Sequence, residues 1–229
     1  DSSDTVGRRV TDTYLLVIHV KDENATAISV PKVEAGYTHS VLLRPDGTVW
    51  TWGQNNNNQL GNGSDADSAY LQQVLVGEQK VDDFICTVCG KEANGVLAGD
   101  SCALTAGCHG VMRTNTNLHD IASIAAGGYF TLALSQDGYV YAWGQNNMGQ
   151  LGVGDTNNAA APKKVRIGAQ PKTETESTYL HDIVAIAAGY DFGLALDKDG
   201  YVYAWGNDDR GQLGDSGNVR GNGALNRTT

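Results

Sequence analysis

Proline is scarce in this chain, 4 residues in 229, against 29 glycines. Glycine supplies the positive φ of tight turns, so a glycine-rich, proline-poor chain reads as many short strands joined by tight turns. No apolar run approaches the roughly 18 residues needed to cross a bilayer, so direct membrane insertion is not expected. Basic charge is also in short supply: Lys and Arg number 16 against 26 Asp and Glu, for a net charge of −10 and a pI near 4.8. The only basic clusters are pairs such as Arg8-Arg9 and Lys163-Lys164. Such a surface repels phosphate backbones and anionic headgroups, which excludes nucleic acid as an expected partner. No charged-then-apolar leader follows Asp1, and the chain reads as a mature or excised segment. Neither a serine in a strained nucleophile turn nor a metal-binding histidine pair appears, and stretches such as Gly61-Asn62-Gly63 lack the lysine of a phosphate loop. The expectation is a non-enzymatic protein.

What the chain does have is an internal repeat. Val33-Glu34-Ala35-Gly36 through Leu43, then Pro45-Asp46-Gly47-Thr48-Val49-Trp50-Thr51-Trp52-Gly53, aligns without gaps on two later segments. These are Ile124-Ala125-Ala126-Gly127 through Trp143-Gly144, and Ile186-Ala187-Ala188-Gly189 through Trp205-Gly206. Each copy runs on into an Asn/Asp-rich loop that ends Gln-Leu-Gly, at Gln59, Gln150 and Gln212. Asp-Gly between two apolar runs predicts a type I′ hairpin turn with both central residues at positive φ. The run after it alternates with period two, as a strand does; the run before it is continuously apolar, as in a strand buried on both faces. Further strands are expected at 71–76 and 164–167, giving about four per copy, the size of a propeller blade.

This ordered set of Ala-Gly, apolar run, Asp-Gly, aromatic-x-Trp-Gly, Asn-rich loop and Gln-Leu-Gly resembles the regulator of chromosome condensation repeat family. The resemblance covers most of residues 31–215 and implies an all-β chain of β-propeller blades, with three repeats as part of a ring of about seven. Three copies cannot close such a ring, so other blades or chains are expected to complete it.

Repeat cores are placed at 31–76, 118–167 and 180–215 within a propeller region 31–229. Residues 1–30 do not match. They hold one apolar, β-branched strand at 11–21 and a linker, read either as the end of a preceding sandwich-like domain or as a strand completing a blade. The third copy has no evident final strand after Leu213-Gly214. The Trp52–Trp143 interval is much longer than Trp143–Trp205, and the excess is an insertion at 80–117, expected as a loop elaborating a blade edge. All four cysteines lie there: Cys86 and Cys89 in zinc-knuckle spacing, Cys102 and Cys108 farther apart. A structural zinc and two disulfides are equally supported.

His119 and His181 recur at one repeat position and read as blade architecture, while His39 aligns with Phe130 and Phe192 and reads as a packing residue. Specific recognition is expected in the variable loops, at Gln54, Asn55, Asn56 and Asn57, at Gln145, Asn146 and Asn147, and at Asn207 and Asp208. The acidic surface, the Asn/Gly-rich loops and the style of the repeats suggest the prokaryotic extracellular type of the family. The expected role is a binding scaffold of an exported or cell-surface protein that recognises a protein or glycan. The family resemblance also implies an alternative, regulation of another enzyme through nucleotide exchange on a small GTPase or inhibition of a secreted enzyme.

Overall fold

A computed structural model describes residues 29–78, 116–167 and 179–214, together with the backbone of 83–86, 92–94, 112–114 and 226–228. The N-terminal strand expected at 11–21 lies outside the described residues. So do Cys89, Cys102 and Cys108, while Cys86 is described in its backbone alone.

Within the described residues the regular structure is all β. The first sheet is a meander of β1 (Lys32–Ala35), β2 (His39–Leu43), β3 (Val49–Gly53) and β4 (Ser68–Gln73). A small sheet follows, β5 (Asp83–Cys86) flanked by β6 (Glu92–Asn94) and β7 (Met112–Thr114), so the insertion is built around paired strands. The middle sheet comprises β8 (Ile121–Ala126), β9 (Phe130–Ser135), β10 (Val140–Gly144) and β11 (Ala159–Lys164). The third comprises β12 (Ile183–Ala188), β13 (Phe192–Asp197), β14 (Val202–Gly206) and β15 (Asn226–Thr228). The three four-stranded antiparallel sheets are propeller blades. β15 supplies the final strand that the Gly/Asn-rich composition hid; it pairs with β14 in the register Val202↔Thr228. The outer strands of the first two blades start earlier than expected, at Ser68 and Ala159, directly after their loops. Val74 and Val165, placed inside those strands by the sequence, follow them and are fully buried.

The hairpin turns differ from the I′ expectation. Gly47, Gly138 and Gly200 have φ of 76°, 84° and 90°, but the aspartates before them are not left-handed. In the first blade Gly47 N–H donates to Arg44 C=O at 3.0 Å, and Arg44 N–H donates to Thr48 C=O at 3.0 Å. This is a three-residue loop, a type I turn over Pro45-Asp46 closed by a left-handed glycine. Proline suits the first central position because its φ is already set. The Asp46 carboxylate then accepts from Thr48 N–H at 3.0 Å and holds the turn shut.

The blades pack face to face, with β8 against β1 and β2 on one side and β12 on the other. One apolar cluster runs through all three. It includes Val41, Leu43, Val49 and Val74 of the first blade, Ile124, Leu132, Val140 and Trp143 of the middle blade, and Ala195 and Trp205 of the third. Two polar links repeat at each joint. Trp143 Nε1–H donates to Gln59 C=O at 3.1 Å, and Trp205 Nε1–H donates to Gln150 C=O at 2.9 Å. At the other end of the sheets, Ile121 and Ile183 N–H donate to the C=O of Gly47 and Gly138, each at 3.1 Å. Both tryptophans are fully buried, so each buried indole N–H has the partner it requires.

Candidate functional site

The sheets have two ends. One carries the hairpin turns. At the other, the register pairs His39 with Gly53, Phe130 with Gly144 and Phe192 with Gly206. The Asn-rich loops therefore leave the third strand of each blade beside the turn that joins its first two strands. Backbone bonds fasten the two: Gln54 N–H to Thr38 C=O at 2.9 Å, Gln145 to Tyr129 at 2.9 Å, and Asn207 to Asp191 at 3.0 Å. Loops and turns of three blades thus form one continuous rim.

Within that rim the expected binding residues divide. Asn55 and Asn146 are fully buried. The Asn55 amide donates to Ser64 C=O at 2.8 Å and Ala66 C=O at 3.1 Å, and its oxygen accepts from Leu60 N–H at 2.9 Å. Asn146 repeats this with Asp155 C=O at 2.8 Å and Leu151 N–H at 2.9 Å. Asp208 occupies the matching position and keeps only the accepting half, toward Leu213 N–H at 2.9 Å. These three side chains shape their loops. The glutamine of Gln-Leu-Gly does similar work: Gln59, Gln150 and Gln212 each accept from a backbone N–H two residues earlier at 2.8 Å. Surface remains at exposed Asn56 and Asn147, beside exposed Met148, and at the partly exposed Gln54, Asn57, Gln145 and Asn207.

Sequence reasoning missed the aromatic part of the rim. Tyr37, Tyr129 and Tyr190, one from each blade, meet edge to face with ring centroids 5.6, 5.9 and 6.0 Å apart. Tyr37 is 68% exposed and Tyr190 is 55% exposed. A recurring aromatic after Ala-Gly was the available signal, but in the middle copy the tyrosine stands one position later, after Gly127-Gly128.

Of the histidines, His19 and His109 lie outside the described residues, His39 and His119 are buried, and His181 is exposed. His39 is buried, and its Nε2 lies 3.0 Å from Thr131 Oγ1 of the middle blade. Its ring stacks under Gly36 as the rings of Phe130 and Phe192 stack under Gly127 and Gly189. Burial holds its imidazole down to about 4. His119 and His181 each place Nδ1 against the carboxylate of the next residue, Asp120 at 2.9 Å and Asp182 at 3.0 Å. Those aspartates sit at φ of 53° and 60° and shape the lead-in to the next blade. Among the described residues no group of three or more His, Cys, Asp or Glu is placed to hold a metal ion. A shallow dent lined by Leu42, Arg44, Trp50 and Leu71 lies on the first blade.

Two sequence models described as the regulator of chromosome condensation (RCC1) repeat match this chain. One matches residues 32–59, 121–150 and 183–212, and the other 46–92 and 137–196, together more than half of the chain. The human E3 ubiquitin-protein ligase HERC2 is 31% identical over 210 residues, covering 84% of this chain and 4% of that protein. The ultraviolet-B receptor UVR8 of Arabidopsis thaliana is 27% identical over 219 residues, covering 89% of this chain and 47% of that one. The crystal structure of human WBSCR16 aligns with a TM-score of 0.54 at 19% identity, over 86% of this chain and 38% of that one, and speaks for the fold. The chain spans less than half the length of each.

Proposed function

Because the chain belongs to the regulator of chromosome condensation repeat family, we propose that it is a non-enzymatic binding module whose loop rim recognises a protein partner. One observation carries this reading. The residues that recur between copies, the tryptophans, buried asparagines and Gln-Leu-Gly, are spent on loop shape and blade packing. Loop positions that differ between copies, Asn57, Met148 and Arg210 among them, stand together on one rim, a rigid scaffold presenting variable loops. A glycan is the alternative ligand. Half-exposed Leu194, Leu196 and Val202 on the third blade support further blades, from the same protein or another chain, as cover for that face. The acidic charge and Asn/Gly-rich loops support an extracellular or cell-surface setting in a prokaryotic protein. Family membership supports the second reading, control of another enzyme.

Site-specific photocrosslinking tests the proposal. A crosslinker at Asn147 or Met148 is expected to capture one partner, and a crosslinker at Asp199 on the hairpin end is expected to capture none. Equal capture at both ends, or none at the rim, overturns it. A captured enzyme whose turnover changes on binding favours the regulatory reading.

A further inference from the structure

The tyrosine trio is assembled by backbone as well as by rings. Gly128 N–H donates to Tyr190 C=O at 2.8 Å, and Tyr37 N–H donates to Gly128 C=O at 3.0 Å, so the three turns are hydrogen-bonded in series across the blades. Gly128 stands where the other copies have their tyrosine. A Cβ there would lie 2.8 Å from Tyr190 O and 2.9 Å from its ring, so only glycine leaves room for the neighbouring aromatic. The Tyr190 phenol is raised above its ordinary range, first by its hydrogen bond with Tyr129, with Asp191 adding to the effect. The result is a pre-ordered aromatic surface that stays more than half open at Tyr37 and Tyr190.

Two features say what suits it. The first is charge. Among the described residues, the loops and turns of this rim carry Asp65, Asp67, Asp155, Asp191, Asp208 and Asp209 against one basic residue of their own, Arg210. Lys163 reaches Asp155 from β11 at 3.5 Å, while the Asp191 carboxylate beside Tyr190 is oriented by the Asn207 amide at 2.7 Å. The second is internal precedent. Elsewhere in this chain tyrosines already hold an ammonium: buried Lys164 puts Nζ 4.3, 5.3 and 5.9 Å from the ring centroids of Tyr139, Tyr179 and Tyr141. Among the described residues no arginine or lysine lies over Tyr37, Tyr129 or Tyr190.

We infer that the Tyr37–Tyr129–Tyr190 trio, with Asp191 beside it, seats an arginine or lysine side chain of a basic segment in the protein partner. The inference rests on the rim reading and sharpens it. Ring faces attract a cation through their quadrupole, and rigid tyrosines ringed by polar residues are the usual anchor of an interface. The acidic rim steers the segment in.

Titration with a fluorescein-labelled peptide of alternating Arg and Gly tests this, with a Gln-Gly peptide of equal length as the neutral control. The Arg peptide is expected to bind and the Gln peptide not. Tyr37→Ala and Tyr190→Ala are each expected to weaken binding about tenfold, while Tyr190→Phe keeps most of it. Asp191→Asn weakens it more at low salt than at high salt. Circular dichroism and the urea midpoint report whether the alanine variants fold; both side chains are mostly exposed, so wild-type values are expected. Equal binding of both peptides, unchanged binding by the two alanine variants, or binding of a neutral oligosaccharide instead overturns the inference. So does a concentration-dependent dimer that the alanine variants abolish. A partner captured through Asn147 but indifferent to the tyrosine variants overturns this inference and leaves the rim reading standing.

Discussion

The middle and third blades contain the same pentapeptide, Val-Tyr-Ala-Trp-Gly, as β10 and β14. In the middle blade all five residues are buried, whereas in the third Val202 and Tyr203 are half exposed. The strands beside them behave alike: Leu132 and Leu134 are buried, and Leu194 and Leu196 are half exposed. Trp143 and Trp205 escape the difference because each indole reaches back to the preceding blade, which both possess. Trp52 of the first blade has no preceding blade among the described residues and is half-buried. Identical residues thus take their burial from the neighbouring blade, as expected for a repeat array stabilised through nearest-neighbour interfaces.

The largest test is at the tryptophans. Trp143→Ala is expected to cost about 4 kcal/mol, from lost burial, a cavity and an orphaned Gln59 carbonyl, against roughly 1–2 kcal/mol for Trp52→Ala. Urea unfolding measures both, and similar costs would break the asymmetry between blades.

Next is the joint between the first and middle blades. The folded-state value of His39 is about 4 against the ordinary 6.5, so between them the folded protein binds fewer protons than the unfolded chain. The stabilisation is therefore full above the ordinary value and drains away as pH falls through that window, by up to about 3 kcal/mol. His39→Phe, which copies the ring used at Phe130 and Phe192, should shrink that acid loss. Equal loss in both proteins, read from urea midpoints at neutral pH and near pH 4, would remove His39 as the cause.

The smallest test uses the shared pentapeptide. Val140→Ala should cost roughly 2 kcal/mol and Val202→Ala less than about 1, because only the first leaves a closed cavity. A Val202→Ala cost that rises to match Val140→Ala when flanking blades are added would identify what covers the third blade.

Much of the fold was legible because it repeats locally. Alternation in Thr48–Trp52 and the apolar run Val41–Leu43 mark a hairpin wherever they occur. The turn type was misread because Asp-Gly alone does not say which pair is central: in all three copies the residue before the aspartate, Pro45, Gln136 or Lys198, joins it as the central pair and the glycine closes the loop. In the rim, Asn55 and Asn146 looked like their exposed neighbours, yet both stand five residues before the leucine of Gln-Leu-Gly, as Asp208 does. That recurrence was the sign of a structural role, the same sign that identified the histidines. β15 was hidden because Asn226-Arg227-Thr228 carries no apolar alternation in the sequence.

The sequence by itself determined the blade repeat: about four strands per copy, the place of the central hairpin, and the recurring Trp-Gly and Gln-Leu-Gly elements. Those features rest on interactions within a copy or on positions that recur between copies, so one chain displays them. Only the tertiary structure decided which faces are buried and which side chains meet. Tyr37, Tyr129 and Tyr190 are far apart along the chain, with Tyr129 one position out of step in the repeat, and they come together because blade packing brings three turns to one rim.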